Sequence, residues 1–133
     1  MNTIHYVILL VEDDRFLRRA AELALKARGL AVVTACDGEE ALERARAVPT
    51  PDLMLLDMLM PKLSGLEVLA ALRADRATRG LPVVMFSNSS RESDMKRAAE
   101  LGVEGYWVKS NISLAELGTR VITLLEQLRA PAA

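Results

Sequence analysis

One cysteine, Cys36, in a chain of 133 residues excludes an intramolecular disulfide and leaves a thiolate zinc site without ligands. Its expected place is a strand end, where it acts as a small hydrophobe; a redox role is the weaker alternative. Histidine is equally scarce. His5 is the only one, and it opens the first apolar run, away from the strand ends where sites form, so it reads as structural. An excess of one charge is missing too: a formal net charge of -1 supplies no overall field to attract nucleic acid or an anionic membrane. Of the 17 basic residues 13 are arginines, but they are scattered through amphipathic stretches and read as solvated helix surface. No apolar run approaches the ~20 residues needed to span a bilayer. The start Met1-Asn2-Thr3-Ile4-His5-Tyr6 lacks the basic opening and small-residue cleavage site of a secretion signal, so a cytoplasmic location is expected. Linkers and low-complexity segments are absent as well, and the tail Ala130-Pro131-Ala132-Ala133 reads as a frayed end. What remains, 51% hydrophobic and 26% charged, is the composition of one globular domain with a real core.

Five apolar runs alternate with five helical patterns. The expected strands are Tyr6–Val11, Ala31–Ala35, Leu53–Leu56, Val83–Phe86 and Tyr106–Val108. They are continuously apolar rather than alternating, as parallel strands covered on both faces are. Between them the spacing is helical; in the last segment Leu114, Leu117, Val121, Leu124, Leu125 and Leu128 form one stripe. Ser64-Gly65-Leu66-Glu67, Ser89-Ser90-Arg91-Glu92 and Ser113-Leu114-Ala115-Glu116 match the capping box, and Asp37-Gly38-Glu39-Glu40 is a looser version. Gly29 and Gly102 mark helix ends, while Pro49 and Pro51 break the chain before the third strand. A βα unit repeated five times predicts an α/β, doubly wound parallel sheet.

In such sheets, sites form at the carboxyl ends of the strands. The polar residues expected there are Glu12, Asp13 and Asp14, then Cys36 and Asp37, then Asp57, Ser87 and Lys109. Asp57 is the most informative, because it closes the apolar run Leu53-Met54-Leu55-Leu56. A carboxylate emerging from a core needs compensation or a function. Clustered with Glu12 and Asp13, it makes an oxygen-rich site suited to Mg²⁺, and a carboxylate can act as nucleophile in aspartyl-phosphate chemistry. Lys109 and Ser87 could then meet phosphoryl oxygens, since phosphoryl transfer needs mainly positioning and charge neutralisation. Asp14 is expected to cap the first helix, leaving Glu12 and Asp13 for metal. The methionines Met54, Met58 and Met60 read as core filler, and Trp107 as packing.

Val11-Glu12-Asp13-Asp14, Asp57-Met58-Leu59-Met60-Pro61 with Gly65 beyond, Ser87, and Val108-Lys109 together resemble the receiver domain of two-component response regulators, over roughly Ile4 to Leu128. The resemblance implies a flavodoxin-like (βα)5 fold with strand order 2-1-3-4-5, one receiver domain over residues 1–133 with its core at about 4–129, and no output domain. It implies that Asp57 accepts a phosphoryl group from a histidine kinase or histidine phosphotransfer protein. Glu12, Asp13, Asp57 and the Leu59 backbone carbonyl would ligate Mg²⁺. Lys109 and Ser87 would bind the phosphoryl group, and Ser87 and Tyr106 would report it as switch residues. The surface of the fourth helix, fifth strand and fifth helix would then change for a downstream protein target or an onward relay, with the chain a monomer or a phosphorylation-dependent dimer. Neither direct nucleic-acid binding nor membrane insertion is implied.

Four positions depart from the usual pattern of that family. Ser87 replaces the commoner threonine and keeps the hydroxyl. Asn88 replaces a very small residue, which implies restricted access for donor or water. Leu59 offers no polar side chain to position a hydrolytic water, so slow self-dephosphorylation is expected. Ser110 replaces a proline usually held in a cis peptide; a non-proline cis bond costs ~3 kcal/mol, which leaves the geometry of the Lys109 loop open. Competing readings are a small phosphatase of the haloacid dehalogenase kind, which needs an acid where Leu59 stands, and a receiver-like interaction module that works without phosphate. A flavin module is disfavoured because no phosphate-cradling loop follows the first strand.

Overall fold

A central parallel sheet organises the molecule in a computed structural model that describes residues 5–129. Its strands are Val7–Val11 (β1), Ala31–Ala35 (β2), Leu53–Leu56 (β3), Val83–Ser87 (β4) and Gly105–Val108 (β5), in the order β2-β1-β3-β4-β5. Helices Arg15–Lys26 (α1), Gly38–Arg46 (α2), Gly65–Ala74 (α3), Glu92–Glu100 (α4) and Leu114–Arg129 (α5) connect and follow them, with a 3₁₀ turn at Lys109–Asn111. The expected (βα)5 architecture and strand order are therefore present, and the apolar runs locate every strand to within one residue. The tail Ala130–Ala133 and residues 1–4 lie outside the described residues.

The alternation of side chains along β1 and β3 builds two cores. Leu9, Val11, Met54 and Leu56 pack with Ala41, Val68, Leu69 and Leu72 on one face; Ile8, Leu10, Leu53 and Leu55 pack with Leu25, Leu117, Val121 and Leu125 on the other. All four residues of β3 are 0% exposed, and burying each such side chain contributes about 1.5–3 kcal/mol. That explains the continuous apolar pattern: a central strand has no solvent face. The edge strands β2 and β5 are only partly buried, since each has one open side. Met54 and Met58 are buried and Met60 packs beside them, the filler role expected of them.

Local chemistry at the helix starts follows the sequence in most cases. Asp14 Oδ1 accepts the Leu17 amide and Asp37 Oδ1 the Glu40 amide, while Ser64 and Glu67 form a complete capping box. At α5 only the hydroxyl half forms, with Ser113 Oγ accepting from Glu116 N at 3.1 Å. The box expected at Ser89 does not form. The residue preceding α4 is Arg91, without a side-chain cap, because Ser89 is occupied elsewhere: its hydroxyl meets Asp94 and its carbonyl takes the Tyr106 hydroxyl. Gly29 and Gly102 adopt φ of 83° and 80°, the left-handed backbone that ends α1 and α4.

Arginine is more than solvated surface here. Arg73 of α3 donates to the carbonyls of Leu101, Gly102, Arg79 and Leu81, tying the end of α4 to the approach of β4. Burial pulls its pKa below the ordinary guanidinium value.

Candidate functional site

Strand register brings the site together. Val11 pairs beside Leu56, so the next residues, Glu12 and Asp57, leave the sheet as neighbours. Ser87 pairs beside Val108, so Lys109 emerges next to the end of β4. Glu12 continues the β1 ladder with its amide on the Ala35 carbonyl, and Asp57 does the same on the Val11 carbonyl. Asp57 and Glu12 are 6% and 2% exposed, whereas Asp13 projects into solvent. Oxygens of Glu12, Asp13 and Asp57 lie within 4.8 Å of one another.

Lys109 compensates the buried pair. Its ammonium donates to Asp57 Oδ2 at 2.8 Å and to Glu12 Oε1. The other Asp57 oxygen accepts the Leu59 amide at 3.4 Å, so both ends of the carboxylate are held. Burial works against the Lys109 charge, but the hydrogen bonds to Asp57 and Glu12 outweigh it and hold the pKa above the ordinary lysine value. For Glu12 burial prevails: it raises the carboxyl pKa despite the Lys109 bond and the Asp14 amide on Oε2. Three carboxylates against one ammonium leave a formal surplus of two negative charges. That surplus, in an all-oxygen donor set, fits a hard divalent cation such as Mg²⁺ better than zinc.

Asp13, Leu59, Ser87, Asn88 and Lys109 help line one open cleft of about 320 Å³ with Glu12 and Asp57. Ser87, the last residue of β4, is 1% exposed, and its Oγ accepts the Ser89 amide at 3.2 Å. Leu59 is 71% exposed at the rim. Tyr106 is half-buried, and its hydroxyl donates to the Ser89 carbonyl at 2.6 Å, which ties β5 to the loop that Ser87 begins. Burial raises its pKa above the ordinary phenol value. Trp107 packs against the core with the Arg120 guanidinium 5.8 Å from its ring.

Three features were not visible in the sequence. Arg18, one turn into α1, donates to the carbonyls of Glu12 at 2.8 Å and Asp13 at 3.3 Å and so braces the acidic loop. Read along the chain, it is one arginine of an amphipathic helix. Asn88 Oδ1 accepts the Ser110 amide at 3.0 Å, which joins two of the departures from the family pattern. The Lys109–Ser110 peptide is trans, and Lys109 reaches both carboxylates from it. Cys36 is a correction: it is exposed rather than packed, because β2 is an edge strand and the cysteine lies just beyond it. His5 is exposed ahead of β1, at the opposite end of the sheet from the cleft.

Mg²⁺ at about a hundred times its dissociation constant should stabilise the fold by roughly 2.7 kcal/mol. The measurement is the thermal midpoint, which EDTA should return to its starting value; Asp13→Asn should reduce the rise. A midpoint unmoved by excess Mg²⁺ contradicts a cation site.

The family profile described as "Response regulator receiver domain" matches residues 8–122. The alkaline phosphatase synthesis transcriptional regulatory protein PhoP of Bacillus subtilis is 36% identical over 120 residues, covering 90% of this chain and 48% of that protein. The chain thus spans about half the length of the curated relatives it matches. Among solved structures, the Mn²⁺-bound response regulator Rcp1 superposes with a TM-score of 0.82 at 31% identity, covering 96% of this chain and 99% of that one. The phosphorylated cyanobacterial phytochrome response regulator RcpA gives 0.80 at 35% identity, with 98% of each chain covered.

Proposed function

Because the chain belongs to the response regulator receiver domain family, we propose that it is a phosphoacceptor switch of a two-component phosphorelay, with Asp57 as the acceptor. The observation that carries the reading is the buried Asp57 carboxylate, bonded to Lys109 and within 4.8 Å of two further carboxylates. An Asp57 oxygen forms an O–P bond as the N–P bond of a donor phosphohistidine breaks, and the released imidazole takes a proton from water. Glu12, Asp13, Asp57 and the Leu59 carbonyl would hold Mg²⁺, which neutralises charge on the transferring group. Lys109 already touches Asp57 and meets the developing phosphoryl charge without a large movement.

Ser87 Oγ accepts the Ser89 amide, and among the described residues its hydroxyl donates to no other group. Turned toward the phosphoryl group, it donates its hydrogen and releases the Ser89 amide. The Tyr106–Ser89 bond then becomes the link by which the loop change reaches β5. The surface of α4, β5 and α5 is the proposed reporter, read by a downstream protein target or used in onward relay. The donor class is a sensor histidine kinase or a histidine phosphotransfer protein, the proposed location is cytoplasmic, and oligomerisation is that of a monomer or a phosphorylation-dependent dimer. Neither nucleic-acid contact nor membrane insertion belongs to the reading; among the described residues no helix is long and apolar enough to cross a membrane.

Leu59 distinguishes this role from that of a phosphatase. Its apolar side chain stands exposed at the rim and supplies no acid or hydrolytic base, so the acyl phosphate is proposed to hydrolyse slowly. The test is incubation of the native chain with Mg²⁺ and acetyl phosphate, followed by intact mass measurement. One added phosphoryl group is expected. An unmodified chain, under conditions that label a control receiver, overturns the proposal, and steady turnover of a phosphorylated metabolite favours the enzyme reading.

A further inference from the structure

Lys109 must be held above two carboxylates; β5 holds the chain before it, where Val108 pairs beside Ser87, but the segment that follows it has little to hold it. It opens a 3₁₀ turn of three residues, Lys109–Asn111, without a side-chain cap, and the turn's own bond is the Ile112 amide on the Lys109 carbonyl at 3.3 Å. On its C-terminal side, past the β4–β5 ladder, the backbone gains a restraint from a distant loop: the Ser110 amide donates to Asn88 Oδ1 at 3.0 Å. Asn88 is itself well anchored. It follows the last residue of β4, and its neighbour Ser89 is bonded through its amide to Ser87 Oγ, through its hydroxyl to Asp94 and through its carbonyl to Tyr106. A held loop thus grips a loosely held one across the mouth of the cleft. The grip requires an N–H at position 110, which a proline could not provide, and an acceptor at position 88, which a glycine or alanine side chain could not provide.

We propose that Asn88 is a positioning residue for the phosphoryl site, its amide oxygen clasping the Ser110 amide so that the Lys109 ammonium stays over Asp57 and Glu12. The inference rests on the phosphoacceptor reading and deepens it. It also opposes the expectation that Asn88 mainly obstructs the cleft. An obstruction slows phosphorylation, so a smaller residue should speed it; a clasp supports Lys109, so loss of the acceptor should slow it whatever the size of the replacement.

The test uses Asn88→Ala, which removes acceptor and bulk, and Asn88→Leu, which keeps the bulk and removes the acceptor. Phosphorylation by acetyl phosphate at saturating Mg²⁺ is timed by intact mass, and Ser110 amide exchange is followed by NMR. Both variants should be slowed by roughly two- to ten-fold, the worth of one ordinary hydrogen bond, and should expose the Ser110 amide to faster exchange by a similar factor. Asn88→Asp, which retains an acceptor oxygen, should restore the amide protection. A faster Asn88→Ala supports obstruction and overturns the clasp. So does a Ser110 amide whose exchange is unchanged in both variants, or one that is released with no loss of rate. A native chain that takes up no phosphoryl group refutes the function and the inference together; a native chain that labels at the same rate as its variants refutes the inference alone.

Discussion

Asp57→Ala should take up no phosphoryl group from acetyl phosphate and Mg²⁺, while the native chain should take up one. The expectation rests on how differently the three carboxylates of the cleft are placed. Glu12 is engaged by Lys109 on one oxygen and by the Asp14 amide on the other, and burial favours its neutral form. Asp13 is exposed, with no lysine bonded to it among the described residues. Asp57 shares the burial and the kinds of partner of Glu12, but its amide contact is the looser, 3.4 Å from Leu59 against 3.0 Å from Asp14 to Glu12. The variant should remain folded. Removing one of three clustered carboxylates relieves repulsion as it removes a Lys109 bond, and Glu12 still pairs the lysine, so urea unfolding should shift by less than the roughly 3–5 kcal/mol that an uncompensated buried charge costs. Intact mass gives the first result and the denaturation curve the second. An adduct that survives in the folded variant moves the acceptor to another side chain.

Gly65→Ala has the largest expected effect on stability. The first residue of α3 lies against the acceptor's own backbone, and a Cβ there would meet the Asp57 carbonyl oxygen at 2.3 Å and the Met58 Cα at 2.8 Å. Both are main-chain atoms at the end of a fully buried strand, so neither can rotate aside as a side chain would. The Gly65 amide also donates to the Met58 carbonyl at 2.9 Å, which pins the close approach. Either α3 withdraws from the sheet or the Asp57 peptide moves. Overpacking of this kind destabilises by about 1–3 kcal/mol and occasionally more. Phosphorylation should slow in the same variant, because Asp57 would no longer sit level with Glu12 and Lys109. Urea denaturation with an unchanged m-value measures the first effect; a midpoint equal to that of the native chain contradicts the close contact.

Much of this was legible along the chain because the signals were local. Leu53-Met54-Leu55-Leu56 is apolar without alternation because β3 is covered on both faces, and a carboxylate that ends such a run is conspicuous. Asp14, Asp37 and Ser64 cap helices through amides three residues ahead, within reach of any reader of sequence. The misreadings arose where a residue had a distant competitor. Ser89 has the spacing of a capping box, but Asp94 and Tyr106 claim its hydroxyl and carbonyl, and the helix starts later. Cys36 looked like a small hydrophobe because β2 looked like its neighbours, and only the sheet order made it an edge.

The amino-acid sequence by itself determined the strands, the helices and the set of groups at the strand ends, since periodicity and capping act over a few residues and need no knowledge of the fold. Tertiary structure decided what those groups do to one another. The pairing of Val11 with Leu56 sets Glu12 beside Asp57, and the end of β5 delivers Lys109 to both. The same assembly turned three polar side chains of ordinary appearance into braces: Arg18 under the acidic loop, Arg73 between α4 and β4, and Asn88 on the Ser110 amide. A hydrogen bond between residues far apart in sequence depends on which loops the sheet order makes adjacent, and no local pattern encodes that adjacency.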